Sequence, residues 1–413
     1  MNNNNGQPSI MPQTTNKQPR VWDLSMILLG LYVLFNYIAQ ETLLPPVIHS
    51  AVMYAYIGCT ALSVLLSGKV KLTYYTVWYF VFIAFSALSM LWATKAETGA
   101  LFNMVVALIL TFCVLNTVTS LERLEAIMMV FVLAAVVMGI MLAATDQLIL
   151  EEGERLGQEI TGNANSFSVM LMLSGIFSGW FVIYRRGFLR FFNLAALIFL
   201  LFLMALSGGR KYLLIAVLCV VWFVISRDTK KFVRIFSGIV KATAVVWLLY
   251  LAMMNIPLIY NSIGMRFEEL FNMLSGGESA VAGDDIRQRM IEIGLKQWLS
   301  NPIWGYGLDT FKHCNKMVTG HFYYAHNNYV ELLYDLGLLG TVLYYWLYGH
   351  AIKKLATLPG TVREYKILGI GMLVGFLIFE FGGVSYNAVF VQLALSIIYS
   401  IVLCTVKTKK ENS

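Results

Sequence analysis

Apolar residues run through this chain in long blocks separated by short polar stretches, and the length of the blocks decides how they are read. A helix that crosses a bilayer needs about 20 mostly apolar residues. By that rule the sequence predicts twelve spans, at 22–39, 45–66, 74–93, 99–118, 124–144, 164–184, 191–207, 211–226, 236–255, 327–349, 367–381 and 386–405. The seventh and eighth are parted only by Ser207-Gly208-Gly209-Arg210-Lys211. The expected fold class is all-α, a polytopic membrane helical bundle of about twelve transmembrane helices. Residues 1–20, rich in Asn, Gln and Pro, are expected to be a disordered cytoplasmic tail. They do not read as a signal peptide, because the apolar run from Val21 to Ala39 leads into Gln40-Glu41 and not into a small-residue cleavage site. Helices one to nine then fill 21–255, a large outer loop 256–325, helices ten to twelve 326–405, and a short cytoplasmic tail 406–413.

Composition agrees. Of the 413 residues 58% are hydrophobic and 13% charged, about half the charge of an ordinary soluble domain. A water-soluble protein of this size could not hide that much apolar surface. Disorder and nucleic-acid binding are excluded as descriptions of the whole chain. The net charge of +7 is unevenly spread. With both termini inside and the sides alternating, twenty of the thirty Lys and Arg fall inside and seventeen of the 23 acids outside. That is the positive-inside arrangement, and it sets the expected orientation as N-in, C-in.

Two expected outer loops are long enough to suggest a function. The first, about 146–161, is acidic through Glu151, Glu152, Glu154 and Glu159. The second contains a helical repeat of apolar positions over Ile286–Trp298, stopped by Pro302. No internal repeat is visible. Four of the five cysteines sit in apolar runs; Cys314 falls in a polar loop, and none has zinc-site spacing.

An enzyme facing outward meets little ATP or nucleotide sugar, so it must draw an activated substrate from the membrane. The chain has no P-loop and no Gly-rich dinucleotide turn. Few acids lie at mid-depth in the spans, which weighs against an ion-coupled transporter. The conspicuous outer groups are basic. Arg210 lies between two apolar helices, where it either snorkels to the surface or meets an anion; the preceding glycines would let a substrate or backbone come close. Asp284-Asp285-Ile286-Arg287-Gln288-Arg289 opens the loop helix, a pattern also ordinary for a helix start. Its adjacent aspartates lack the one-residue gap of a metal-binding Asp-x-Asp. His326, before Asn327-Asn328-Tyr329, stands at the outer mouth of the tenth helix. There an imidazole can serve as a general base or simply belong to an interfacial polar cluster. His313 and His321 read as ordinary loop residues.

Taken in order, several segments resemble the O-antigen ligase/polymerase family of bacterial membrane glycosyltransferases. They are Gly162-Asn163-Ala164-Asn165, Ser207-Gly208-Gly209-Arg210, Arg287, Asn301-Pro302-Ile303-Trp304-Gly305-Tyr306-Gly307-Leu308-Asp309-Thr310-Phe311, and the stretch from Ala325-His326-Asn327-Asn328-Tyr329 to Leu336-Gly337-Leu338-Leu339-Gly340. The resemblance covers about 160–345, and the last two stretches are its most specific part. It implies a bundle of about twelve spans with a large extracytoplasmic loop containing short helices, in the bacterial cytoplasmic (inner) membrane. It implies an undecaprenyl-diphosphate-linked oligosaccharide or polysaccharide donor, a glycan or lipid acceptor, and surrounding membrane lipids as partners. No nucleic acid, metal or other cofactor is expected. His326 maps to the family's catalytic histidine. Arg210 and Arg287 map to its diphosphate-binding arginines, with Arg289 as the alternative to Arg287; Lys211, Asn327 and Tyr329 are expected in support. One departure is Ile291, where the family commonly has an aromatic. Three acceptors are open: another lipid-linked repeat (a polymerase of capsule, exopolysaccharide or O-antigen), lipid A-core (a ligase of lipopolysaccharide), or a protein hydroxyl. No additional outer domain for the last two is evident, which favours the polymerase. A flippase for lipid-linked sugars would need basic groups on both leaflets.

Overall fold

The computed structural model of the chain describes residues 21–39, 44–68, 70–95, 97–145, 147–148, 156–157, 164–227, 251, 255, 260, 282–320 and 322–411. The described residues form thirteen α-helices and no strand. Eight come before the outer loop: α1 (Leu24–Ile38), α2 (Pro46–Ser67), α3 (Tyr74–Ser89), α4 (Gly99–Thr117), α5 (Leu121–Ala144), α6 (Ala164–Tyr184), α7 (Phe188–Leu206) and α8 (Arg210–Arg227). Two short helices, α9 (Ala282–Trp298) and α10 (Phe311–Thr319), lie within the loop. Three close the chain: α11 (Asn328–Ala356), α12 (Arg363–Phe379) and α13 (Val389–Glu411).

Six helices, α2, α4, α5, α6, α7 and α11, are long and apolar enough to cross a membrane, while α1, α3 and 389–405 of α13 are shorter apolar helices. Helices also stand at the expected eighth and eleventh spans. The ninth expected span, 236–255, lies outside the described residues apart from Leu251 and Asn255, as do the tail 1–20 and most of the loop 146–161. Helix α13 continues to Glu411, past the expected membrane exit at 405.

Burial separates a bundle centre from a lipid-facing rim. Helix α6 is buried from Phe167 to Val182 and packs against α5, α7 and α8. It carries serines without penalty because each finds an internal acceptor: Ser168 Oγ donates to Ala164 O at 2.7 Å, Ser174 Oγ to Phe131 O at 2.9 Å and Ser178 Oγ to Asn193 O at 2.6 Å. In hydrocarbon an unpaired hydroxyl would have no water to turn to. Helix α2 is the opposite case. Leu62, Leu65 and Leu66 are exposed, a surface that suits lipid tails.

Helix ends gather into two faces. On one, Arg185 bonds to Glu125, Glu364 and the Tyr365 hydroxyl, joining α5, α6 and α12. Buried Arg123 holds Asp23 at 2.5 Å. On the other face the loop helices form a second small core, in which Met290, Phe311, Cys314, Ala325, Val330 and Tyr334 pack together. Cys314, read from sequence as part of a polar loop, is therefore buried on α10; the amphipathic spacing of that short helix hid it. His313, on the same helix, faces Glu97 at 2.8 Å. The orientation of the two faces remains the expectation of the charge rule.

Helix α11 is broken at Gly337, whose φ of 65° and ψ of −169° fall in a region that essentially only glycine occupies. The break removes the helical bonds that Leu338 and Leu339 would make to residues 334 and 335. The segment Pro302–Gly307 replaces all four lost partners. Leu338 N donates to Pro302 O at 2.8 Å and Leu339 N to Ile303 O at 3.3 Å. In return, Tyr306 N donates to Tyr334 O at 2.9 Å and Gly307 N to Asp335 O at 2.7 Å. The backbones come so close that a Cβ on Gly305 would stand 2.5 Å from both Asp335 O and Gly337 N. The Asp335 carboxylate completes the join by accepting from Asp309 N, Thr310 N and Phe311 N at 2.9–3.1 Å. The segment between α9 and α10 is thus clasped to the bundle.

Candidate active site at the mouth of α11

His326 lies two residues before α11 begins, in a left-handed conformation with φ of 53°. Its neighbours fix it there. Asn327 is the helix cap, its Oδ1 accepting from Tyr329 N at 3.0 Å and Val330 N at 3.1 Å. Asn328 reaches across to the α12–α13 connection: its N–H donates to Glu380 O at 2.9 Å, and its Oδ1 accepts from Ser385 N at 2.9 Å and Tyr386 N at 3.2 Å. Tyr329 donates its hydroxyl to Leu377 O at 2.9 Å and stacks on Tyr345. Three of the four side chains in His-Asn-Asn-Tyr are fasteners. The imidazole is the exception. It packs beside Tyr324, ring centroids 4.2 Å apart, and lines a cavity of about 300 Å³.

The opposite walls of that cavity come from distant parts of the chain: Asn36 from α1, Asn165 from α6, Tyr212 from α8 and Phe379 from α12. Asn165 belongs to the Gly162–Asn165 segment singled out in the sequence; Gly162 and Asn163 lie outside the described residues. Lys211 lies against three of the lining residues. Its Nζ bonds to Gly382 O and lies 4.8 Å from the Tyr212 ring centroid and 5.3 Å from that of Phe379.

Arg210 opens α8 one residue earlier and is partly exposed. The turn before it is held against α6 by the Ser168–Ser207 hydroxyl pair at 2.8 Å. A Cβ on Gly209 would stand 2.5 Å from Ser168 Oγ and 2.8 Å from Tyr212. The close approach expected at these glycines is therefore made at Gly209 by the protein's own side chains. Arg287 and Arg289 are both exposed on α9. Helix α9 packs on α11, where a Cβ on Gly294 would collide with Val330.

Burial lowers the His326 pKa to about 4, with the charges of Arg287 and Lys211 adding to the effect. The imidazole is therefore neutral at pH 7 and able to accept a proton. Three sequence-predicted residues from α8, α9 and the mouth of α11 are thereby coupled, and of the two loop arginines it is Arg287 whose charge acts on His326.

Sequence reasoning passed over three buried acids, Glu331, Asp335 and Glu380. The signal was present, since a carboxyl within an apolar helix marks a costly and usually purposeful placement. Glu380 Oε1 accepts from Tyr348 at 2.7 Å and Ser385 at 2.5 Å. Glu331 Oε2 accepts from Ala325 N at 2.6 Å. Among the described residues, no group of three or more His, Cys, Asp or Glu is arranged to hold a metal ion.

No curated protein matches the sequence. Residues 194–345, which include Arg210, Arg287 and His326, match the family model described as O-Antigen ligase.

Proposed function

We propose that the protein transfers a glycan from undecaprenyl diphosphate to an acceptor hydroxyl at the outer face of the bacterial inner membrane, with His326 as general base. The observation that carries this reading is the convergence at His326: a neutral imidazole lining a cavity, under the charges of Lys211 and Arg287 from two other segments. The acceptor oxygen attacks C1 of the donor sugar, and its proton passes to His326. The C1–O bond to the diphosphate breaks, and the lipid diphosphate departs with the electron pair. Negative charge grows on the leaving oxygens, so permanent cations there stabilise the transition state more than the ground state. Arg210 and Arg287 supply such charge, and guanidinium can grip a phosphate through two parallel hydrogen bonds. Each of these roles is worth roughly 2–4 kcal/mol of barrier.

The acceptor in this proposal is the end of another lipid-linked repeat, which makes the protein a surface-polysaccharide polymerase. A second reading, ligation of the finished polymer to lipid A-core, is favoured by the description of the matching family model. Purified protein given lipid-linked repeat units, with and without lipid A-core, distinguishes them. A ladder of repeats is the expected product; a single shifted lipid band that requires lipid A-core means ligase. Glycan transfer by folded H326A or R210A at the wild-type rate would remove that residue from the mechanism.

A further inference from the structure

Glu331 has no role in that mechanism, yet this side chain holds the residue next to the base. It is 2% exposed and Ala325 is fully buried. Its Oε2 accepts the Ala325 N–H at 2.6 Å. The next residue, His326, has a φ of 53°, a conformation uncommon for a residue with a side chain. Such a conformation is strained and persists only where its surroundings over-determine it. Here it is gripped from both sides: Glu331 holds the N–H of the residue before it, and the Asn327 cap fixes the helix after it. A carboxyl one turn into an apolar helix is expensive, and this one spends its short bond on a backbone amide.

We infer that Glu331 is a positioning residue for the transfer reaction: by accepting the Ala325 N–H it holds His326 in the left-handed turn that presents the imidazole to the cavity. The inference rests on the reading of His326 as the base. Glu331 itself touches no substrate. What it supplies is the direction of the proton acceptor, and a displacement of about 1 Å at a reacting group can cost on the order of 10²-fold in rate.

The test compares E331M, which fills the volume without offering an oxygen, with E331Q, whose amide oxygen can accept the same hydrogen bond. The donor is lipid-linked glycan extracted from the source membranes, and H326A is measured in parallel. E331M is expected to lose about 10²-fold in kcat with KM for the donor changed less than about two-fold, while E331Q stays within about three-fold of wild type. That rescue, and the confinement of the loss to kcat, would not follow from a general loosening of the fold. A folded E331M with wild-type kcat, a loss in KM alone, or a folded E331Q as impaired as E331M would each overturn the inference. Should E331M fail to accumulate, E331Q still decides, because a folded but inactive E331Q contradicts the hydrogen-bond role. Full activity in H326A sinks the base itself and Glu331 with it. An inactive H326A beside a fully active E331M sinks only the role of Glu331.

Discussion

Two residues of positive φ, His326 just before α11 and Gly337 within it, do opposite jobs. At Gly337 the backbone turns because it must meet another backbone: Pro302–Gly307 fills the broken helix, and no side chain would fit between them. At His326 the backbone turns although a side chain is present, and the turn brings that side chain to a cavity. Glycine makes the first turn nearly free of strain. In the second the strain is retained and offset by Glu331 and Asn327. The pair teaches how to sort a patterned sequence. The glycine at 337 marks where the chain touches itself, and the strained turn at His326 is kept where it brings a side chain to a cavity.

Each side of that comparison can be attacked. The largest effect is expected at the mouth, where H326A should lower kcat by about 10²–10⁴-fold while protein level and melting temperature stay near wild type; a parallel fall in stability would make His326 a structural residue like Gly337. Next, R287A should lose about 10²–10³-fold in kcat/KM and R289A less than about three-fold, read in the same assay; equal losses would erase the distinction between the two arginines. G337A should do the reverse of H326A. It adds about 1–3 kcal/mol of backbone strain before any clash with Ile303, and should appear as a lower melting temperature and faster proteolysis of the outer loop. The smallest effect is electrostatic. Because cations near His326 depress its pKa, R287Q should move the acid limb of the kcat/KM profile upward from near pH 4, towards but short of 6.5, since burial is the larger cause. A limb that stays or moves down would mean that Arg287 does not act on the base.

Helices were the easiest part to read. Long apolar blocks declare themselves by length, and described helices stand at eleven of the twelve expected spans. The loop helix was legible from Met290, Ile291 and Gly294, which face the small outer core or its neighbours. His326 stood out as an imidazole at the mouth of an apolar helix and Lys211 by its place beside Arg210, whereas Arg287 was singled out by the resemblance of its segment. The clasp was not. Pro302-Ile303-Trp304-Gly305 looks like a motif with chemistry in it, and only the geometry reveals four replacement hydrogen bonds. Asn327 and Tyr329 were expected beside the chemistry in support, whereas their bonds go to backbone. The acids were missed because a scan for apolar runs averages over Glu331 and Asp335, which are tolerated by virtue of partners 6 and 24–26 positions away along the chain.

The Arg185 junction bears on how the protein is made. Its partner Glu125 precedes it in synthesis, but Glu364 follows 179 residues later. At about 5–20 residues per second, roughly 10–35 s of translation separate the two. Throughout that interval a nascent chain holds a guanidinium with half its carboxylates, and α12 has nothing to replace it. The junction closes only when α12 has been made, so a chain terminated before Glu364 carries the Arg185 guanidinium with one of its two carboxylates.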